Sequence, residues 1–197
     1  MNLTFAGRTE QFQSTLNTSE FTDASGARLA LESGVLHAMQ ILRAVRDRGN
    51  SVYVIGNGGS AGVASHAITD FVNVAKLRAQ TVHESSLLTC MANDYGYENA
   101  YARILSTFVR SGDVLIAISS SGKSPNICNA ATKVRELGGT VMTLSGFAPN
   151  NPLRVLGDLN IWLDSRDYGM VEIGHEFILH HIADRFGHEA KVDLDDK

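Results

Sequence analysis

The stretch DVLIAISSSGKSPN, Asp113 to Asn126, decides the fold. Its first half is a short, β-branched apolar run, Val114 to Ile118, which reads as a buried strand. From Ser124 the sequence SPNICNAATKVRELGG has helical spacing and stops at a glycine pair. The serines therefore sit on a strand-to-helix turn, where backbone N–H groups and the positive end of the helix point outward. Hydroxyls placed there are small neutral donors, suited to an anion with several acceptor oxygens. A plain helix cap is the competing reading, with Ser124 as N-cap and Pro125 in the first helical position. A cap accounts for one serine; Ser119, Ser120 and Ser121 need another reason.

The same alternation recurs on both sides. SVYVI, from Ser51, is a strand followed by the glycine turn GNGGSAG and a helical segment through Val74. Ala79 to His83, TVMTLSG and LNIWLD read as further strands, and MVEIGHEFILHHIADRF closes the chain as a helix. Before them, residues 20–48 carry Leu29, Leu31, Val35, Leu36, Met39, Leu42 and Val45 at helical spacing, which predicts an N-terminal helix. Strands separated by helices imply right-handed crossovers. The expected fold is a three-layer α-β-α sandwich on a five-stranded parallel sheet. One domain over 1–197 is expected, with its core at about 51–187.

Composition narrows the function. The 197 residues are 44% hydrophobic and 19% charged, with a formal charge of −4. That balance argues against nucleic acid as a partner, which calls for a basic footprint. No apolar stretch is long enough for a bilayer, and MNLTFAGRTEQF lacks the apolar centre of a signal peptide. Cys90 and Cys128 form no ligand-spaced pair, so a reduced, cytoplasmic setting is expected and no membrane partner.

In such a sheet, ligands bind beyond the carboxyl ends of the strands. The first turn holds Gly56, Gly58 and Ala61 in a GxGxxA pattern. A dinucleotide site would also need an acidic residue closing the next strand, and a Walker loop would need Gly-Lys-Ser/Thr. Neither follows. Two small-residue turns at strand ends suit a single phosphate monoester on a small molecule.

These residues together resemble a known family. GNGGSA followed by His66, NDYGYE at Asn93 to Glu98, GDVLIAISSSGKSPN, and a last helix with Glu172, His175 and His180 look like the sugar isomerase (SIS) fold. Within it they resemble the phosphoheptose isomerases, over about Leu31 to Phe186. The resemblance implies a homotetramer with active sites between subunits and an intramolecular oxidoreductase. The implied reaction takes sedoheptulose 7-phosphate to D-glycero-D-manno-heptose 7-phosphate through an enediolate, in heptose biosynthesis. It places the phosphate loop on Ser119, Ser120, Ser121 and Ser124, sugar contacts on Asn57, Gly58 and Gly59, and a further pair on Asn93 and Asp94. Glu172 is implied both as a substrate contact and as a metal ligand. One zinc per subunit is implied on His66, Asp70, Glu172 and His180, with Asp70 as base and His180 as acid.

The residues read alone leave this open. His66 and Asp70, four apart, share a helix face, and Glu172 and His180 lie on one broad side of the last helix. Two histidines with two carboxylates suit zinc, and they equally suit a solvated surface. Asp70 and Glu172 stand where the family has Glu and Gln. Val74 stands where it has an arginine, leaving Lys76, Arg78 or Lys123 to supply positive charge. The rivals to the heptose enzyme are a non-catalytic SIS protein that binds a phosphosugar or a protein, of the replication-initiator-associating type, and an isomerase of another phosphosugar.

Overall fold

A computed structural model of the chain describes residues 3–195, with side chains through residue 189. Met1, Asn2, Asp196 and Lys197, part of the expected domain span, lie outside the described residues. Helix α1 (Phe5–Asn17) leads into strands β1 (Glu20–Asp23) and β2 (Arg28–Leu29), then α2 (Leu31–Arg48) and β3 (Ser51–Ile55). Next come α3 (Gly59–Asn73), β4 (Arg78–Gln80), α4 (Ser85–Tyr95), α5 (Tyr97–Phe108) and β5 (Val114–Ser119). The chain ends with α6 (Pro125–Glu136), β6 (Thr140–Ser145), a 3-10 turn (Pro152–Val155), β7 (Leu159–Trp162) and α7 (Tyr168–Asp195).

The sheet order is β2-β1-β7-β6-β5-β3-β4. β7, β6, β5, β3 and β4 are the five expected parallel strands. Every residue of β5 is buried, as a strand covered on both faces must be. Its side chains alternate. Ile116 and Ile118 join one core with Met39, Leu42, Phe71, Leu179 and Phe186, while Leu115 and Ala117 join a second with Tyr101, Leu105, Ile127 and Val134. The three-layer sandwich follows, with α2, α3 and α7 on one face and α5 and α6 on the other.

The sheet has seven strands, not five. Residues 20–29, expected to begin the N-terminal helix, form an antiparallel hairpin whose β1 pairs with β7. The helical count misreads them because DASG is a turn: Asp23 Oδ1 accepts from the Ser25 and Ala27 amides, and Gly26 holds φ at 82°. Leu29 lies in β2, and α2 starts at Leu31. Helix α1, capped by Thr4, carries no strong apolar stripe and was not expected. No helix among the described residues is long and apolar enough to cross a membrane.

This topology fixes a crevice. From β3 the chain moves outward to β4, then returns to place β5 on the other side of β3. The strand order reverses between β3 and β5, and their carboxyl ends open side by side.

Candidate active site

The loops leaving β3 and β5 meet at that reversal. They line a cavity of about 260 Å³ with Asn57, Gly58, Gly59, Ser60, Ser119, Ser120, Ser121 and Ser124, closed on one side by Tyr168 and Glu172 from α7. The loops are tied together by a reciprocal amide pair, Asn57 Nδ2 to Asn126 Oδ1 and Asn126 Nδ2 to Asn57 Oδ1, both 2.9 Å. Tyr97 donates to the same Asn57 oxygen at 2.8 Å. Neither Asn126 nor Tyr97 was singled out in the sequence; both become visible only when the loops meet.

The serine turn is shaped from within. Gly122, at φ 62°, donates to the Ser119 carbonyl at 2.9 Å, and Ser119 Oγ lies 3.1 Å from Ser124 Oγ. Ser124 does occupy the N-cap of α6 with Pro125 behind it, but its hydroxyl caps no amide. The Ile127 amide is met by Asn126 Oδ1. The plain cap reading therefore fails for the Ser124 side chain, whose hydroxyl faces the cavity loop. Ser121 is half-buried, and among the described residues its hydroxyl receives only the Lys123 amide, at 3.2 Å.

A second group lies further along the helices. Asp70 Oδ2 stands 2.7 Å from His180 Nδ1 and 3.4 Å from His66 Nε2. One ligand atom from each of the three residues falls within 4.8 Å of the others. Glu176 approaches His66 at 3.7 Å, and Asp184 approaches His180 at 3.6 Å. The hydrogen bond to Asp70 raises the His180 pKa above its usual value, with Asp184 and Glu176 adding to it.

Glu172, expected among the metal ligands, is placed elsewhere. Its carboxylate lies over Gly59, so close that a Cβ there would meet Oε2 at 2.2 Å. A negative group at the N-terminus of α3 is favourably placed against the helix dipole. The eight residues from Glu172 to His180 rise about 12 Å along α7, which separates the crevice end from the cluster end. Asn93 and Asp94 are exposed at the end of α4, bonded to each other at 2.9 Å, and do not line the cavity.

The sequence profile of the SIS domain family matches residues 24–146. The chain belongs to that family. It is 35% identical over 153 residues to a phosphoheptose isomerase of Pelobacter propionicus, covering 75% of this chain and 80% of the relative. A Mycobacterium tuberculosis phosphoheptose isomerase is also 35% identical, over 176 residues, covering 81% and 89%. Among solved structures, a phosphoheptose isomerase from Neisseria gonorrhoeae superposes with a TM-score of 0.79 at 23% identity, covering 92% of this chain and 94% of that one. The SIS domain here is thus an isomerase of the phosphoheptose isomerase family.

Two of the suggested substitutes for the family's arginine are engaged with backbone carbonyls in this SIS domain. Lys76 Nζ bonds the Asn73 carbonyl and Arg78 bonds the Gly49 carbonyl, both at the far end of α3 from the crevice. Val74 packs against α7, where a Cβ on Gly187 would meet its Cγ1 at 2.7 Å.

His175 marks the inner side of α7. It is fully buried, its Nε2 lies 3.1 Å from the Ser145 carbonyl, and Nδ1 has no partner. Burial pushes its pKa down from 6.5 to about 4. The unfolded chain therefore takes up this proton more readily than the folded one. The stabilising effect is complete above pH 6.5 and is lost as pH falls towards 4, about 3 kcal/mol in all. Urea unfolding should show this loss in the wild type, and His175→Gln should flatten it. An unchanged slope between pH 6.5 and 4 in the variant would remove His175 as its source.

Proposed function

We propose that this phosphosugar isomerase interconverts sedoheptulose 7-phosphate and D-glycero-D-manno-heptose 7-phosphate in the cytoplasm, as a step in heptose biosynthesis. The observation that carries the reading is the pairing of a neutral, donor-rich loop with a distant carboxylate–imidazole pair. A seven-carbon sugar phosphate has the same polarity, with its phosphate at one end and its reacting carbons at the other. The curated relatives' names support the substrate class.

The chemistry follows from the residues. Ser119, Ser120, Ser121 and Ser124 receive the phosphate oxygens, while Asn57, Gly58 and Gly59 face the sugar hydroxyls, with Glu172 beside them. Asp70 takes the proton from the carbon next to the carbonyl, leaving an enediolate. His180, held protonated to a higher pH by Asp70, delivers a proton to the carbonyl oxygen. Asp70 then returns its proton to the former carbonyl carbon while the now neutral His180 takes the hydroxyl proton from the neighbouring carbon's oxygen, which forms the new carbonyl and restores both side chains. Both contacts that fix Asp70 use Oδ2, so Oδ1 is the oxygen assigned to the carbon proton.

His66, Asp70 and His180 fit zinc, one per subunit. Two imidazoles and one carboxylate, converging within 4.8 Å, are the donor set of a three-ligand catalytic site. Bound there, zinc would polarise the carbonyl oxygen. His180 must be neutral to ligate, so in a zinc-loaded site the ion would take over its role at the carbonyl oxygen, and the raised His180 pKa makes metal uptake strengthen as pH rises. Glu172 would reach the same ion only by leaving Gly59. Val72, Ile173 and Phe177 are exposed on α3 and α7 beside the cluster, and we assign this apolar surface to a homotetramer with shared active sites, where Asn93 and Asp94 meet a neighbour's substrate.

The test is Ser121→Ala assayed against a panel of ketose and aldose phosphates by NMR. The Michaelis constant should rise about tenfold, the worth of one charge-assisted hydrogen bond, while the melting temperature stays at the wild-type value. Equal Michaelis constants would reduce the loop to a structural turn.

A further inference from the structure

A second cavity of about 220 Å³ adjoins the crevice, lined by Ser121, Lys123, Phe147, Ala148 and Arg166. Ser121 lines both cavities. The far wall is built rather than loose. Phe147 is held at φ 58°, its amide bonds the Ser165 carbonyl at 2.9 Å, and its ring meets Tyr168 edge-on at 4.8 Å.

The two cations in this cavity are unengaged. Arg8, Arg28, Arg43, Arg154 and Arg185 each pair with a carboxylate. Arg166 and Lys123 have no side-chain hydrogen bond or ion pair among the described residues. Asp167, beside Arg166 in the chain, is taken by Arg8 at 2.7 Å. The crevice itself has the opposite deficit: its one charged lining residue is Glu172. A phosphate dianion there meets hydroxyls, amides and a helix end, with no full positive charge from its own lining.

We propose that Lys123 and Arg166 are the cationic wall of the phosphate site. The phosphate of a sugar monoester sits at Ser121, the residue common to both cavities, with the ammonium and guanidinium facing it from the second. Arg166 then presents a planar fork to phosphate oxygens and Lys123 a point charge. Together they make the site selective for a dianionic substrate over the unphosphorylated sugar. This assignment rests on the serine loop being a phosphate site.

Titration calorimetry with inorganic phosphate, then with sedoheptulose 7-phosphate, separates the two ideas. The variants are Lys123→Met with Arg166→Met, Ser121→Ala, and Lys76→Met as a remote charge control. The double variant should bind phosphate at least about tenfold more weakly than Lys76→Met, with a flatter salt dependence. Its melting temperature should not move, because both side chains are exposed. Wild-type affinity in the double variant, with Ser121→Ala impaired, overturns the cationic wall and leaves the loop reading standing. A loss no larger than that of Lys76→Met also overturns it. A wild-type protein that binds neither ligand overturns both.

Discussion

Asp70→Asn is expected to lower turnover about a thousandfold, within the span of a lost general base, while the phosphosugar still binds. The amide keeps the size of the carboxylate and its reach towards His66 and His180. It loses the negative charge and the basic oxygen that would receive the carbon proton. Phosphate affinity should survive, because the serine loop lies at the opposite end of α3: the eleven residues from Gly59 to Asp70 rise about 16 Å. The decisive readout is exchange of the substrate's carbon-bound hydrogen with deuterium oxide, followed by NMR, since it reports removal of the carbon proton apart from the later steps. Asp70→Glu should keep measurable exchange, though a carboxylate displaced by one methylene can cost about a hundredfold through misplacement. Zinc uptake, measured alongside, should drop in Asp70→Asn and persist in Asp70→Glu. Normal exchange in Asp70→Asn would make this cluster structural.

How far the sequence carried depends on which interactions define each element. β3, β5 and β6 are covered on both faces, so burial writes β3 and β5 as apolar runs and β6 as one broken only by Thr143, and their turns could be aligned at one edge of the sheet. The hairpin at 20–29 was not legible, because a strand of two residues has no period and its stability comes from pairing with β7. The His66–Asp70 pair could be read from helical phase, since four residues return to the same face. Phase brought His180 to the same side as Glu172 but not the direction of the Glu172 side chain, which is set by the glycine and helix end it covers. Tyr168, Arg166 and Asn151 come from segments after β6 and β7, and only tertiary structure brings them to the β5 loop. For Asn151 a local signal existed: an Asn directly before Pro152 is a turn and cap signature. Arg166 carried none.

Gly122→Ala should destabilise the protein by about 4 kcal/mol or more, at the extreme of single substitutions. Two costs add. At φ 62° an alanine is in the left-handed region, which costs about 1–2 kcal/mol. The new Cβ would also stand 1.9 Å from Asn151 Oδ1 and 2.2 Å from its Cγ. Asn151 cannot give way cheaply. It is 1% exposed, its Nδ2 donates to Ser145 Oγ, the Gly146 carbonyl and the Ala148 carbonyl, and its Oδ1 receives the Arg154 amide. Moving it strands buried polar groups at about 1–3 kcal/mol each. Gly26→Ala isolates the first cost, since Gly26 has φ 82° with nothing within 4 Å of its Cβ position, and should lower stability by only about 1–2 kcal/mol. In melting temperature the two variants should differ by roughly 5 °C or more. Phosphate binding should fall in Gly122→Ala even well below its melting point, because Gly122 also sets the Ser119 carbonyl contact that shapes the turn. Equal melting temperatures for the two variants would mean that Asn151 yields freely, and that the serine turn is not held from behind.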